Sequence, residues 1–180
     1  MKINLSLKEY MKEILWLYIW RFQPFHNGHK SVVDRMIQDN ENNLILIGVN
    51  DIYGSKENPY SYAERLGFIG GIYEKSISIS PLIDNDSDEL WVKQILWIWR
   101  IQKSDHIKLY CWDQENDSAI KVIEQYKNLF TGKKLEIIEI DRNLLPISAT
   151  QVRHEMKTEW VESIEALVPD EVYQELKKNG

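Results

Sequence analysis

The sequence predicts an α/β protein: an open, parallel, five-stranded sheet with helices on both faces, followed by C-terminal helices. Three observations lead there. Five short apolar runs recur along the 180 residues, and amphipathic stretches of helical period separate them. The clearest runs are apolar at every position, as in strands buried on both faces. The first run then passes through a short polar loop into a helix, the kind of junction at which open α/β sheets bind ligands.

Residues 1–13 are polar and weakly periodic, and read as a lead-in. Ile14-Leu15-Trp16-Leu17-Tyr18-Ile19-Trp20 is the first strand. The helix beyond it carries Val32, Val33, Met36 and Ile37 on one side and Lys30, Asp34, Arg35 and Gln38 on the other. Asn43 to Asn50 holds the second strand. After a loop over 50–60, a helix starts near Tyr60, where Ser61 and Glu64 form a capping box. Ser76 to Pro81 reads as a short strand and Asp84 to Glu89 as an acidic loop. One helix is expected from about Asp88 to Gln102, with Trp91, Ile95, Ile98 and Trp99 in phase. Ile107 to Cys111 is a strand, Ser118 to Leu129 a helix, and Thr131 to Lys134 a turn. Leu135 to Ile140 is the fifth strand. Residues 148–156 and 160–178 read as helices, with Pro169 in a first turn. Without a repeat or linker, 1–180 is expected to be one domain, with a core over 14–147 and a helical part over 148–180.

Charge and composition exclude several functions. A net charge of −6 and a pI near 5.3 argue against nucleic-acid binding through a broad basic face. The lone cysteine, Cys111, excludes an internal disulfide and a cysteine-rich zinc site, and fits a reducing cytosol. The run 14–20 is far shorter than the ~20 residues that span a bilayer, and no signal-peptide cleavage site follows it. A cytoplasmic protein with neither a nucleic-acid nor a membrane partner is expected. The sequence is compatible with a homo-oligomer.

Two stretches carry the chemistry. Arg21-Phe22-Gln23-Pro24-Phe25-His26-Asn27-Gly28-His29 sets two histidines and an arginine on the strand-to-helix loop. Helix N–H groups there attract phosphate, and Gly28 leaves room for close backbone approach. Beyond the last strand, Pro146-Ile147-Ser148-Ala149-Thr150-Gln151-Val152-Arg153 offers an N-cap, a second hydroxyl and an arginine on a helix's first turns. Histidines three apart also suit a metal, but no third ligand accompanies them. His106 and His154 read as surface residues.

Together the two stretches resemble the paired signatures of the nucleotidyltransferase superfamily with the H-x-G-H motif. The longer first motif resembles that of the archaeal-type nicotinamide-mononucleotide adenylyltransferases. Asn58-Pro59-Tyr60-Ser61-Tyr62-Ala63-Glu64-Arg65 is similar to that family's N-P-F-T-x-x-E-R. Pro81-Leu82-Ile83-Asp84 with Leu90-Trp91-Val92 is similar to its P-x-x-D…W-V, and Leu167-Val168-Pro169 to its L-V-P. The resemblance covers about residues 14–178. It implies a Rossmann-like sheet, and attack of nicotinamide mononucleotide on the α-phosphorus of ATP to give NAD and pyrophosphate. It implies His26, His29, Arg21 and Arg153 as catalytic residues, and Phe22, Gln23, Gly28, Ser148 and Thr150 as ATP-binding. It implies Arg65, Asp84 and Trp91 as the mononucleotide's ligands. Mg²⁺ would be held through substrate phosphates, with no protein ligand.

These residue types suit that chemistry. A phosphate oxygen is already a nucleophile, so the protein must align the reactants and meet the charge gathering on the phosphoryl oxygens. Donors fixed in advance do this, and a histidine near neutral pH can also gain a proton as that charge grows.

Three departures from the family pattern stand out. Trp20 replaces a glycine before the first motif, Cys111-Trp112-Asp113-Gln114 replaces a Gly-Asn pair, and Asp86 stands where many relatives carry Asn. They leave two alternatives: a relative using CTP or another acceptor, or a catalytically weakened nucleotide sensor. No Glu-rich Nudix signature is present, so a fused hydrolase is not expected.

Overall fold

Strand β1, Ile14–Trp20, lies at the centre of the sheet. The computed structural model describes residues 14–50, 52–112, 114–115, 117–141, 146–158 and 161–179; the expected lead-in over 1–13 lies outside them. Helix α1 is Asn27–Asp39, β2 Asn43–Val49, α2 Tyr62–Tyr73, β3 Ser78–Ile83, α3 Asp88–Trp97 and α4 Trp99–Gln102. Strand β4 is His106–Cys111, α5 Ser118–Gln125, β5 Lys134–Glu139, α6 Ala149–Thr158 and α7 Asp170–Asn179. The five strands are all parallel, in the order β3-β2-β1-β4-β5.

Alternation along β1 divides the core in two. Trp16 and Tyr18 point to the face covered by α1, α2, α6 and α7, among Val32, Met36, Phe68, Val152 and Val172. Leu15, Leu17 and Ile19 point to the other, among Val92, Ile95, Ile120 and Ile123 of α3 and α5. Both faces of the central strands are therefore dry, which is why they read as unbroken apolar runs. Chain order runs outward from β1 through β2 to β3 on one side, and from β4 to β5 on the other. The switch falls between β1 and β4, so a crevice opens beyond their carboxyl ends.

The expected helix over 88–102 is broken. Its first part ends at Trp97, and Ile98 turns to extended backbone at φ −65° and ψ 123°. Ile95 and Ile101 are both fully buried, yet residues six apart lie about 120° apart around a continuous helix; the break lets both reach the core. Two further helices are shorter than expected. After α5 a 3-10 turn, Lys127–Leu129, takes over. At the C-terminal end a 3-10 turn, Val161–Ile164, precedes α7. Pro169 lies just before the first helical residue, where the restriction it places on Val168 blocks a continuous helix. Strand β3 starts and ends two residues later than expected, and it tolerates Pro81 because it is an edge strand.

Candidate active site

The first motif turns from β1 into α1 on an interlocked pair of histidines. The His29 N–H donates to His26 Nδ1 (3.4 Å), and the His26 N–H donates to His29 Nδ1 (3.3 Å). The rings stack with centroids 3.6 Å apart. Each imidazole thus caps the other's backbone, an arrangement usually made with Ser and Glu. Because each Nδ1 accepts, the neutral rings carry their proton on Nε2. His29 Nε2 is buried and has no partner among the described residues: a donor oriented but unused. Burial, reinforced by His26, holds the His29 pKa well below its ordinary 6.5. Its resting form is therefore neutral, and it acts by donation rather than by standing charged.

Aromatic rings hold this donor in place. Phe22 meets His29 edge-on at 4.9 Å, with Phe25 at 5.6 Å, Trp20 at 5.9 Å and Tyr18 at 6.3 Å. Phe22 takes φ 52°, a left-handed backbone that turns the chain at the end of β1. Its side chain is fully buried, a wall for His29. Gly28 has a role inside the protein itself. A Cβ there would lie 2.9 Å from His26 Cε1, so the missing side chain makes room for the histidine ring.

The arginines and Gln23 join the two motifs and the loops around them. Arg153 donates to the Gln23 carbonyl (2.6 Å) and to Thr150 Oγ1 (3.2 Å). The Gln23 side chain both donates to and accepts from the backbone of Tyr60, at 2.9 and 3.0 Å. Ser148 caps α6 by accepting from the Gln151 N–H (3.1 Å), as expected. Arg65 is buried: it donates to the carbonyls of Arg21 and Gly48, each at 2.7 Å, and of Ser61 at 3.1 Å. Those bonds make it a strut between the ends of β1 and β2. Arg21 remains half-exposed, paired with Asp84 at 2.8 Å and donating to Asn58 at 3.3 Å. The Asn27 N–H donates to the Leu167 carbonyl (2.9 Å), so the Leu167-Val168-Pro169 stretch holds the start of α1.

Two cavities meet at this crevice. One, of about 430 Å³, is lined by His26, His29, Ser148, Thr150, Arg153, Phe22, Gln23 and Trp112, with Glu57 at its edge. The N-termini of α1 and α6 both open on it, which suits a phosphate chain. The other, of about 650 Å³, is lined by Asp84, Asp88, Trp91, Gly48, Ser118 and Val122. Trp20, Arg21 and Asp117 line both. Of the residues expected at the site, His26, His29, Phe22, Gln23, Ser148, Thr150 and Arg153 line the smaller cavity, Asp84 and Trp91 the larger, Arg21 both, and Gly28 and Arg65 neither. Asp86 is exposed and lines neither.

Reading the motifs missed Asp117, and met Trp112 only within a departure from the family pattern. Asp117 caps α5, accepting from the Ala119 and Ile120 N–H groups. Trp112 donates to the Tyr18 hydroxyl at 2.8 Å. Their signal was topological: both follow β4, the strand beside β1 at the switch. His106 lies at the opposite end of β4, within 3.0 Å of Glu136; it is largely shielded, not a surface residue.

Comparison with known proteins agrees with this fold. The chain is 34% identical over 82 residues to a nicotinamide-nucleotide adenylyltransferase of Methanospirillum hungatei JF-1, a match covering 44% of this chain and 47% of that protein. It is 36% identical over 83 residues to the enzyme of the same name from Methanocorpusculum labreanum, covering 44% and 49%. The chain spans about half the length of the curated relatives it matches. A bifunctional NMN adenylyltransferase/ADP ribose pyrophosphatase from Francisella tularensis superposes with a TM-score of 0.68 at 20% identity, over 92% of this chain and 49% of that one. A NadR protein in complex with NAD and AMP-PNP gives 0.62 at 19% identity, over 82% and 44%. These structures share the fold. The sequence model of one family, Cytidylyltransferase-like, matches residues 17–170; that span takes in most of β1, the rest of the sheet and both motif-bearing turns, and the chain belongs to this family.

Proposed function

We propose that the protein is an adenylyltransferase that joins ATP and nicotinamide mononucleotide to give NAD and pyrophosphate. The observation that carries the reading is the junction of two chemically different cavities at Trp20, Arg21 and Asp117. The smaller offers a ring donor, hydroxyls, an arginine and two helix N-termini, and fits a triphosphate. The larger is walled by tryptophans and fits a flat ring. Arg21 stands between them, where the acceptor's phosphate would meet the α-phosphorus. The relatives' shared name supports the acceptor.

In this reading a phosphate oxygen of the mononucleotide attacks the α-phosphorus of ATP, the bond from that phosphorus to the bridging oxygen breaks, and pyrophosphate leaves. His29 Nε2 and Arg153 hold the departing oxygens, with Ser148 and Thr150 beside them. Preorganised donors of this kind act without reorganising as charge develops. Among the described residues no group of three or more His, Cys, Asp or Glu could hold a metal, and the cradle consists mainly of donors. A Mg²⁺ ion would be held by the substrate phosphates rather than by these side chains, and would supply neutralisation of the charge on the reacting phosphates. A Francisella tularensis relative has been solved with AMP and a manganese ion. One buried cysteine, Cys111, suits work in the reducing cytoplasm.

A second reading, a weakened nucleotide sensor, is favoured by one observation: Trp20 lies against the ring whose donor must be reached. The test is incubation with Mg²⁺, one of ATP or CTP, and nicotinamide mononucleotide or a sugar phosphate. Dinucleotide formed from ATP and the mononucleotide is expected. Nucleotide binding without any turnover would support the sensor, and turnover only with CTP or another acceptor would replace the proposal.

A further inference from the structure

Helix α3 carries an outward face that the site does not use. Val92 and Ile95 hold the helix to the core, fully buried. Leu90 and Trp97 lie roughly opposite Val92 around the helix, and they are 52% and 78% exposed. Seven residues apart, they stand in one row two turns long, with Gln94 between them. Ile83, at the end of β3 and 45% exposed, lies beside this row, because Gln94 donates to its carbonyl at 3.0 Å. A contiguous apolar row on an exposed helix face, ending in an open indole, marks an interaction surface.

The shape of the surface and its charges select the partner. An added strand is disfavoured at this edge of the sheet, since Pro81 has no N–H to give and Gln94 already occupies the Ile83 carbonyl. The partner must therefore dock through side chains. Asp86, Asp88 and Glu89 stand at the start of α3, and Arg100 and Lys103 beyond its end. Lys93, near the middle, is paired with Glu89. The row is thus acidic at one end, basic at the other and symmetric in its apolar contacts about residues 93 and 94. We propose that a second copy of this chain docks here, its α3 antiparallel to the first across a two-fold axis. Trp97 of each copy then covers the partner's Leu90, and the acidic end of each helix meets the basic end of the other. Such an interface is self-complementary and closes as a dimer. Three apolar side chains bury less than the ~800 Å² per partner of a standard interface, so the dimer forms reversibly, at micromolar concentrations and above.

Sedimentation velocity of the full chain, from about 1 µM to about 500 µM, tests this. Wild type should pass from monomer to dimer across that range, and added salt should weaken the dimer by screening its charged ends. Trp97→Ser should raise the dissociation constant at least about tenfold, as loss of a central indole does. Its circular dichroism should stay unchanged, because an exposed side chain carries little of the fold. Asp86→Lys and Lys103→Asp should each weaken the dimer, and the two together should restore it. A wild-type chain that stays monomeric throughout would overturn the proposal. So would a dimer indifferent to Trp97→Ser, or a charge swap that restores nothing. Wild-type monomers that float with phosphatidylcholine vesicles only when Trp97 is present would give the face to a lipid surface instead, and overturn it too.

Discussion

At the scale of single residues, the site is built around one buried proton donor. His29 is held by a backbone hydrogen bond to its Nδ1 and by four aromatic rings, so its Nε2–H has a fixed direction and, among the described residues, no competing partner. Gly28 makes this possible by leaving space for the His26 ring. Gly28→Ala should push that ring aside, loosen the reciprocal caps and lower kcat at least about tenfold, with a smaller effect on Tm; steady-state kinetics beside a melting curve separate the two. Trp20 raises a different expectation. It is half-buried, 6.1 Å from Tyr18 and 5.9 Å from His29, and borders both cavities. The three other aromatic side chains around His29 are shut inside the core, and Trp20 alone of the four can swing away. Trp20→Ala should fold and bind ATP more tightly, since the donor no longer has to be uncovered. An unchanged calorimetric Kd would show that the indole only packs on Tyr18.

At the scale of elements, the active geometry depends on how helices begin. Helix α1 starts at His26, α5 at Asp117 and α6 at Ser148, and each of the three caps lines a cavity. Ser148→Ala should cost about 1 kcal/mol of stability, the usual value of such a cap, and raise the KM for ATP, because the hydroxyl that orders the first turn of α6 also borders the phosphate cavity. Chemical denaturation and an ATP titration read the two effects. This scale also shows what was legible in the sequence and what was not. Ser61 with Glu64, and Ser148 three residues before Gln151, are local patterns, and the structure shows both caps in place. The strands were legible because burial on both faces leaves no polar alternation. The break at Ile98 was not, because it is set by where Ile95 and Ile101 must each be buried, a tertiary demand without local trace. The strut made by Arg65 was equally hidden: its partners are the carbonyls of Arg21 and Gly48, and carbonyls have no sequence signature. For the same reason, a motif could nominate Gln23 as a site residue but could not foretell that its amide is spent on Tyr60.

At the scale of the molecule, the sheet order places everything. With β1 and β4 adjacent and the chain running outward on either side, the loop after β1 and the loop after β4 face each other across one crevice. The motif after β5 closes it from above α1 through Arg153. A consequence for stability follows from the buried histidine. In the unfolded chain His29 takes up a proton as the pH falls through about 6.5; in the folded protein, burial keeps that proton off to lower pH. The unfolded state then binds more protons, so the folded state loses stability as the medium is acidified below that value. Wild type should therefore lose more Tm than His29→Ala between about pH 7.5 and about pH 5.5, although the variant starts lower at neutral pH for want of its buried contacts. Equal losses would show that His29 titrates normally. Among the described residues no helix is long and apolar enough to cross a membrane.

The central claim is that His29 serves adenylyl transfer as a neutral, prepositioned donor. Single-turnover formation of dinucleotide from Mg-ATP and nicotinamide mononucleotide, in wild type and in His29→Ala, tests it most directly. The account predicts one pyrophosphate per dinucleotide in wild type and a rate about 10²- to 10³-fold lower in the variant, with the variant's fold intact by circular dichroism. A His29→Ala protein that transfers the adenylyl group at the wild-type rate would contradict it.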